Sequence, residues 1–478
     1  MTSLVLGQLR RRPAAFAGLA AALMLAVATV TLFGSLFAAD LATPAGVRTA
    51  TGGPGLMLIA GAFGEIAVLV AFFVVVNTLG FALRQQHREL ALLRTVAATP
   101  RQARRLVRGE VVATTLAVAG PGWAVGAVAA RHFLAALQRR GMAAAEVRVP
   151  GTVVPMLVAL GATLLVGLAA AAVAARRISR IPPAAALTAS STEHARTGAV
   201  RLLAGAGVAV GGGLLLRLSA TRPADQVDKA AQAALLGSLV LLVAVALAGP
   251  VAARALTAVL GAPLRLAVPG AGWLADANLR GHARRLSSAV VPVAMLVGLS
   301  GTMSIMTFIA GRAATAARVS AAAGGSAAAT TSATAATTAA TSATSATDIW
   351  LRQAELGMLV CFATVAIVNT LVAVTADRRR EFALLRLIGA TRAQLLRMLT
   401  VEAVLTAVLG VLLGALVAGA AASAFSLAVT GSAVPAVPVA TCGWITAGAV
   451  ALTVPVVLVT GRWAVARPAA ELMDGSRD

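Results

Sequence analysis

Long apolar runs separated by short basic stretches make up nearly the whole chain. Runs at about 14–38, 56–83, 111–130, 153–175, 230–250, 288–310, 356–375, 401–428 and 439–459 are each long enough, as helices, to cross a bilayer. Arg10, Arg11 and Arg12 precede the first run, which is too long for the core of a signal peptide and reads as an uncleaved first helix. Residues 202–216 are apolar but short and glycine-rich, bounded by Arg201 and Arg217. The third run contains Gly120-Pro121-Gly122, which predicts a kink.

One stretch between apolar runs occurs twice. Residues 77–110 and 369–402 align without a gap at an offset of 292, and 14 of the 34 positions are identical. Asn77/Asn369, Glu89/Glu381, Arg94/Arg386, Thr99/Thr391 and Glu110/Glu402 are among them. In each copy a basic amphipathic helix leaves an apolar run, turns, and restarts as the next run. Leu90, Leu93 and Val96, and in the second copy Phe382, Leu385 and Ile388, lie three apart and predict a stripe on one face. The turn falls at Ala97-Ala98 and at Gly389-Ala390. Thr99/Gln102 and Thr391/Gln394 then have the T-x-x-Q spacing of a capping box, with Pro100 suited to the first helical position. A basic loop that only fixes topology would need neither the box nor the stripe, so the unit reads as a docking element.

The flanking runs repeat as well. Pro150, Arg177 and Pro183 match Pro435, Arg462 and Pro468 at an offset of 285. Because both copies of the unit must face one side of the membrane, 202–216 and 230–250 either both cross or both fail; we take both as crossing. The prediction is an all-α polytopic membrane protein of about ten transmembrane helices, two parallel four-helix repeats joined by a two-helix middle segment. The first half covers 1–183, the middle 184–271 and the second half 272–478. Residues 320–347 contain only Ala, Ser, Thr and Gly and are expected to be a disordered linker outside the membrane.

Composition agrees with this picture: 478 residues, 59% apolar, mean hydropathy +0.89. The net charge of +23 would suggest nucleic acid in a soluble protein. Here aromatic residues for base stacking are scarce and the basic runs flank apolar spans, so no nucleic-acid partner is expected. With both termini inside, 29 of the 40 basic residues fall on the cytoplasmic side; the loop carrying Arg131, Arg139, Arg140 and Arg148 goes against the trend. Cys361 and Cys442 have no metal-like spacing, and the four histidines are scattered. The only lysine, Lys229, follows Val-Asp, so there is no phosphate-binding Walker A sequence and the chain is not read as an enzyme. Glu65 and Glu355 lie near the outer ends of their helices; a substrate path is conceivable, and solvated helix-end residues are the simpler account. Asn77 and Asn369 suit interhelical hydrogen bonds, and the glycines of 205–213 and 410–419 suit close helix packing.

The second copy, NTL followed by RRREFALLRLIGATRAQLLRMLTVEA, resembles the signature of the FtsX-like permeases of ABC transporters, MacB and Lol types included, and the first copy is a looser version. The resemblance covers all but about residues 184–271, and the 4+2+4 plan is similar to permeases of the antimicrobial-peptide detoxification type. It implies a permease subunit in the bacterial plasma membrane, with both termini cytoplasmic and no cofactor of its own. ATP would be hydrolysed by a separate ABC ATPase dimer, one permease chain to two ATPases, to export or extract a substrate such as a small amphiphile or peptide. It also implies that the duplicated units couple to the ATPase, through Arg88, Glu89, Leu90, Leu93, Arg94, Thr99 and Gln102 in the first copy. The second copy would use Arg380, Glu381, Phe382, Leu385, Arg386, Thr391 and Gln394. The alternative is a non-transporting regulator that passes ATPase motion to an envelope partner. An ion-driven carrier fits less well, since charges deep in the helices are nearly absent. Such permeases usually carry a large folded extracytoplasmic domain, and residues 39–55 and 313–350 are too short or too simple for one.

Overall fold

The computed structural model describes residues 13–48, 55–85, 100–151, 153–178, 199–223, 226–267, 283–324, 331–376 and 378–466. Among them the chain is helical: α1 Pro13–Ala42, α2 Leu56–Gln85, α3 Pro100–Arg139, α4 Val154–Ile178, α5 Ala199–Ala220, α6 Val227–Ala267, α7 Ala283–Gly324, α8 Thr331–Ala376, α9 Arg379–Leu387, α10 Arg392–Thr430 and α11 Val439–Ala466. A single turn, Ala45–Arg48, follows α1. All except α9 are long and apolar enough to span, ten candidates in all, including both helices of the middle segment. The protein is a multi-pass membrane protein.

The helices fall into two compact units, Met1–Ser190 with Ser342–Leu351, and Ser191–Thr341 with Arg352–Asp478. In the first, α1 packs against α2, α3 and α4. In the second, α10 packs against α7 and α11, and the middle hairpin α5–α6 packs on α7 and α10, so the middle helices belong to the second unit's body.

Helix association in lipid depends on close van der Waals packing and on small residues, because tails and side chains are equally apolar. Both units use this at the same place. A Cβ at Gly122 on α3 would lie 2.9 Å from Val27 Cβ and 3.1 Å from Met24 O on α1. A Cβ at Gly414 on α10 would lie 2.8 Å from Val297 Cβ and 2.7 Å from Ala294 O on α7. Gly122 and Gly414 are related by the offset of 292, whereas Val27/Val297 and Met24/Ala294 are related by 270. One turn further on, Gly126 sits against Ala28 O and Thr31, while Ala418 faces Gly301. Thr31 and Gly301 again differ by 270. The repeat therefore includes the first helix of each half. Val154 and Val439, which open α4 and α11, keep the 285 read from the prolines.

The middle hairpin is close-packed by glycine too: Gly205 faces Leu247 and Ala248, and Gly212 faces Leu241. Pro250 in α6 has no N–H to give the Ala246 carbonyl. Arg201 on α5 fills that place, donating from Nη2 to Ala246 O at 3.0 Å and from Nε to Leu247 O at 2.8 Å. Buried hydroxyls in the spans, such as Thr114, Thr302 and Thr453, donate to the carbonyl four residues back, so their helices carry them without an orphaned donor.

Two expectations change. Residues 320–324 and 331–347, expected to be a disordered linker, are helical. Alanine is the strongest helix former, and each piece extends a neighbouring span, so no new nucleus is needed. α3 runs on to Arg139 through an Ala/Leu-rich stretch, which puts Arg131 and Arg139 on the helix and not in a loop. The turn after it is tied by Gln138, whose Nε2 donates to Ala144 O at 3.0 Å and Val147 O at 2.9 Å. Gly120-Pro121-Gly122 lies within α3.

Candidate docking site

The second copy of the duplicated unit lies wholly on described elements except Asp377. α8 is described to Ala376, α9 forms a short separate helix, and α10 begins after the four residues 388–391. α9 stops where Gly389 adopts φ +100°, a conformation that favours glycine. Gly389 N then donates to Arg386 O at 3.1 Å and Ala390 N to Leu385 O at 3.0 Å, which satisfies carbonyls at the helix end. The capping box forms as its spacing predicts: Gln394 N donates to Thr391 Oγ1 at 3.2 Å, and Thr391 N to Gln394 Oε1 at 2.9 Å. Glu381 occupies the first turn of α9 and Arg386 the last, each at the end its charge favours.

The stripe does not keep to one face. Phe382 is 0% exposed, packed in a core with Leu395, Met398 and Leu399 of α10 and Val457 and Ala464 of α11. Leu385 packs against the edge of that core, and Ile388 is 84% exposed. The reason is geometric: steps of three residues fall short of a turn, so two such steps carry the stripe about 120° around the helix. The exposed apolar face comprises Leu384 (44% exposed), Leu387 (62%) and Ile388, with Leu387 and Ile388 about 60° and 40° to either side of Leu384. Phe382 thus belongs to the protein's own interior, and α9 is amphipathic with its second apolar face turned to solvent. Thr391 and Gln394 are exposed, and Arg380 lies in the first turn of α9.

Arg378, the residue before α9, was not singled out by its sequence. Its side chain is buried. Nη1 donates to Glu402 Oε2 on α10 at 2.6 Å, Nε donates to Glu381 Oε2 at 3.2 Å, and its guanidinium lies 5.0 Å from the centre of the Phe382 ring. Burial works against the charge, but the two carboxylates, Glu402 first, outweigh it and hold Arg378 more firmly protonated than usual. The only signal available beforehand was Glu402 itself, a carboxylate at the start of an apolar run, which needs a cation nearby.

In the first copy, Arg88, Glu89, Leu90, Leu93, Arg94 and Thr99 lie outside the described residues. Pro100 opens α3 as its ring requires, Gln102 is exposed in its first turn, and Glu110 is buried. Of the two acids considered for a substrate path, Glu65 is exposed, whereas Glu355 is 5% exposed and is covered by protein, not solvated at a helix end.

Two segments of the chain, residues 61–183 and 355–471, each match the family model of the FtsX-like permease C-terminal domain. Together they make up about half of the sequence and contain both copies of the duplicated unit. A search among curated proteins found no match. FtsX-like permeases are membrane components of ABC transporter type that generally work with an ABC ATPase. With two family matches, each on three spanning helices that include a duplicated helix–turn–helix unit, the chain belongs to the FtsX-like permease family.

Proposed function

We propose that this chain is the permease subunit of an ABC transporter, with both halves in one polypeptide and ATP hydrolysed by two separate ATPase subunits. The observation that carries the reading is the exposed apolar face of α9. Leu384, Leu387 and Ile388 stand on a helix fixed from behind by Phe382, and no residue of that face serves the permease's own core. An amphipathic helix seated in a groove is a recurrent mode of protein recognition. Arg386 in the last turn of α9, with Arg380 in the first, forms the rim; such charges set orientation and rate more than affinity. The bias of basic residues supports a cytoplasmic side for both units and both termini, in the bacterial plasma membrane. The cargo is an amphiphile or peptide moved out of the membrane.

The test is co-expression of the full-length chain with the ABC ATPase of its host, followed by native mass measurement. One chain with two ATPase subunits is expected, and the double change Leu387→Asp/Ile388→Asp should remove the ATPase while the chain still inserts. Co-purification of that variant at wild-type yield, or two permease chains per ATPase pair, would refute the proposal.

A further inference from the structure

The docking helix is tied to the membrane helices by a buried ionic brace. Four residues, 388–391, join α9 to α10, so backbone alone leaves α9 hinged on α10. Arg378 closes that hinge. Its guanidinium reaches back along α9 to Glu381 and across to Glu402, near the start of the α10 span. Planar guanidinium can bridge two carboxylates from fixed directions, which a lysine ammonium does less well. An ion pair withdrawn from water holds its geometry, because breaking it would strand a buried charge. Phe382 beneath the same guanidinium, packed against Leu395, Met398 and Leu399, adds an apolar bond between the same two helices.

The geometry points to Arg378 as a positioning residue that makes α9 and α10 one rigid body, so that force applied at the Leu384/Leu387/Ile388 face tilts α10 through the membrane. This deepens the proposed docking of an ATPase and rests on it. At the offset of 292 the first copy keeps both carboxylates, Glu89 and Glu110, but has Gln86 where the second has Arg378. A neutral amide at that position cannot form the ionic bridge that Arg378 forms.

The experiment separates ATPase binding from transmission. The full-length chain, with Cys361 and Cys442 replaced by alanine, receives a spin label through Ser432→Cys, just past the far end of α10. It is reconstituted in lipid nanodiscs with its ATPase, and spectra are compared without nucleotide and after trapping with vanadate and Mg-ADP. The braced protein should show a shift on trapping. Arg378→Gln should bind the ATPase as before and lose the shift, and Arg378→Lys should recover part of it. Glu402→Gln, which leaves Arg378 paired with Glu381, should lose it as well, and serves if Arg378→Gln fails to fold. A full shift in Arg378→Gln or Glu402→Gln overturns the inference. So does a wild-type label that ignores trapping, or ATPase binding that is lost together with the shift in all three variants. Failure of the wild-type chain to bind the ATPase instead sinks the docking proposal itself.

Discussion

The two copies of the duplicated unit share 14 of 34 positions yet differ where the second is most strongly built. Its outer face, Leu384, Leu387 and Ile388, corresponds to Leu92, Thr95 and Val96 in the first copy, so the central leucine is replaced by threonine. Its brace residue, Arg378, corresponds to Gln86. What the copies do share is the sequence framework: Glu89/Glu381, the T-x-x-Q spacing of Thr99/Gln102 and Thr391/Gln394, and Glu110/Glu402. The difference teaches that a repeat can keep its local folding signals while the residues around them diverge.

Six changes, in four comparisons, test that contrast, beginning with the largest. Phe382→Ala removes the ring that seats α9 on α10 and α11, and should destabilise the second unit by about 3–5 kcal/mol, as buried aromatic truncations do. Thermal unfolding in detergent measures it; a change within error would mean α9 is held by the ionic brace alone. Leu387→Asp should weaken ATPase binding by roughly 2 kcal/mol, near thirtyfold, whereas Thr95→Leu should tighten it by about 1 kcal/mol, as the first face comes to match the second. Equal and opposite indifference in titration calorimetry would show that neither face docks. Thr391→Ala breaks the capping box and should cost about 1 kcal/mol, seen as faster amide exchange at residues 392–395. Thr99→Ala should do the same at the start of α3 if its restart is built alike. Smallest of all, removal of residues 322–343 should leave unfolding temperature and ATPase binding unchanged, since the first half lacks that length; loss of either would assign the segment a structural duty.

Much of this was legible in the sequence because the signals are local. Apolar run length gave nine of the ten spans, the shared side of the two copies gave the tenth, and T-x-x-Q gave the restart at Thr391. Two matters were hidden for physical reasons. Contact between α1 and α3, or α7 and α10, needs only a small residue on one side, so Gly126 against Thr31 became Ala418 against Gly301 and left no identity to detect. Similarly, three consecutive arginines, Arg378, Arg379 and Arg380, look alike on paper, and only the path of the chain decides that Arg378 turns inward. The spacing of Phe382, Leu385 and Ile388 misled for a third reason: a stripe stays on one face only when steps of three and four alternate.

The gap between the offsets 270 and 292 also has a practical side. It marks 22 residues by which the second half is longer than the first, all between Gly301 and Asn369, and α8, which starts 275 residues after α2, takes up most of them. The two halves thus carry different lengths there and keep the same helix order. An epitope or a small fluorescent reporter spliced into residues 320–347 would therefore ride on a position where the two halves already differ in length, and antibody access to it in intact cells would report which face of the membrane it occupies.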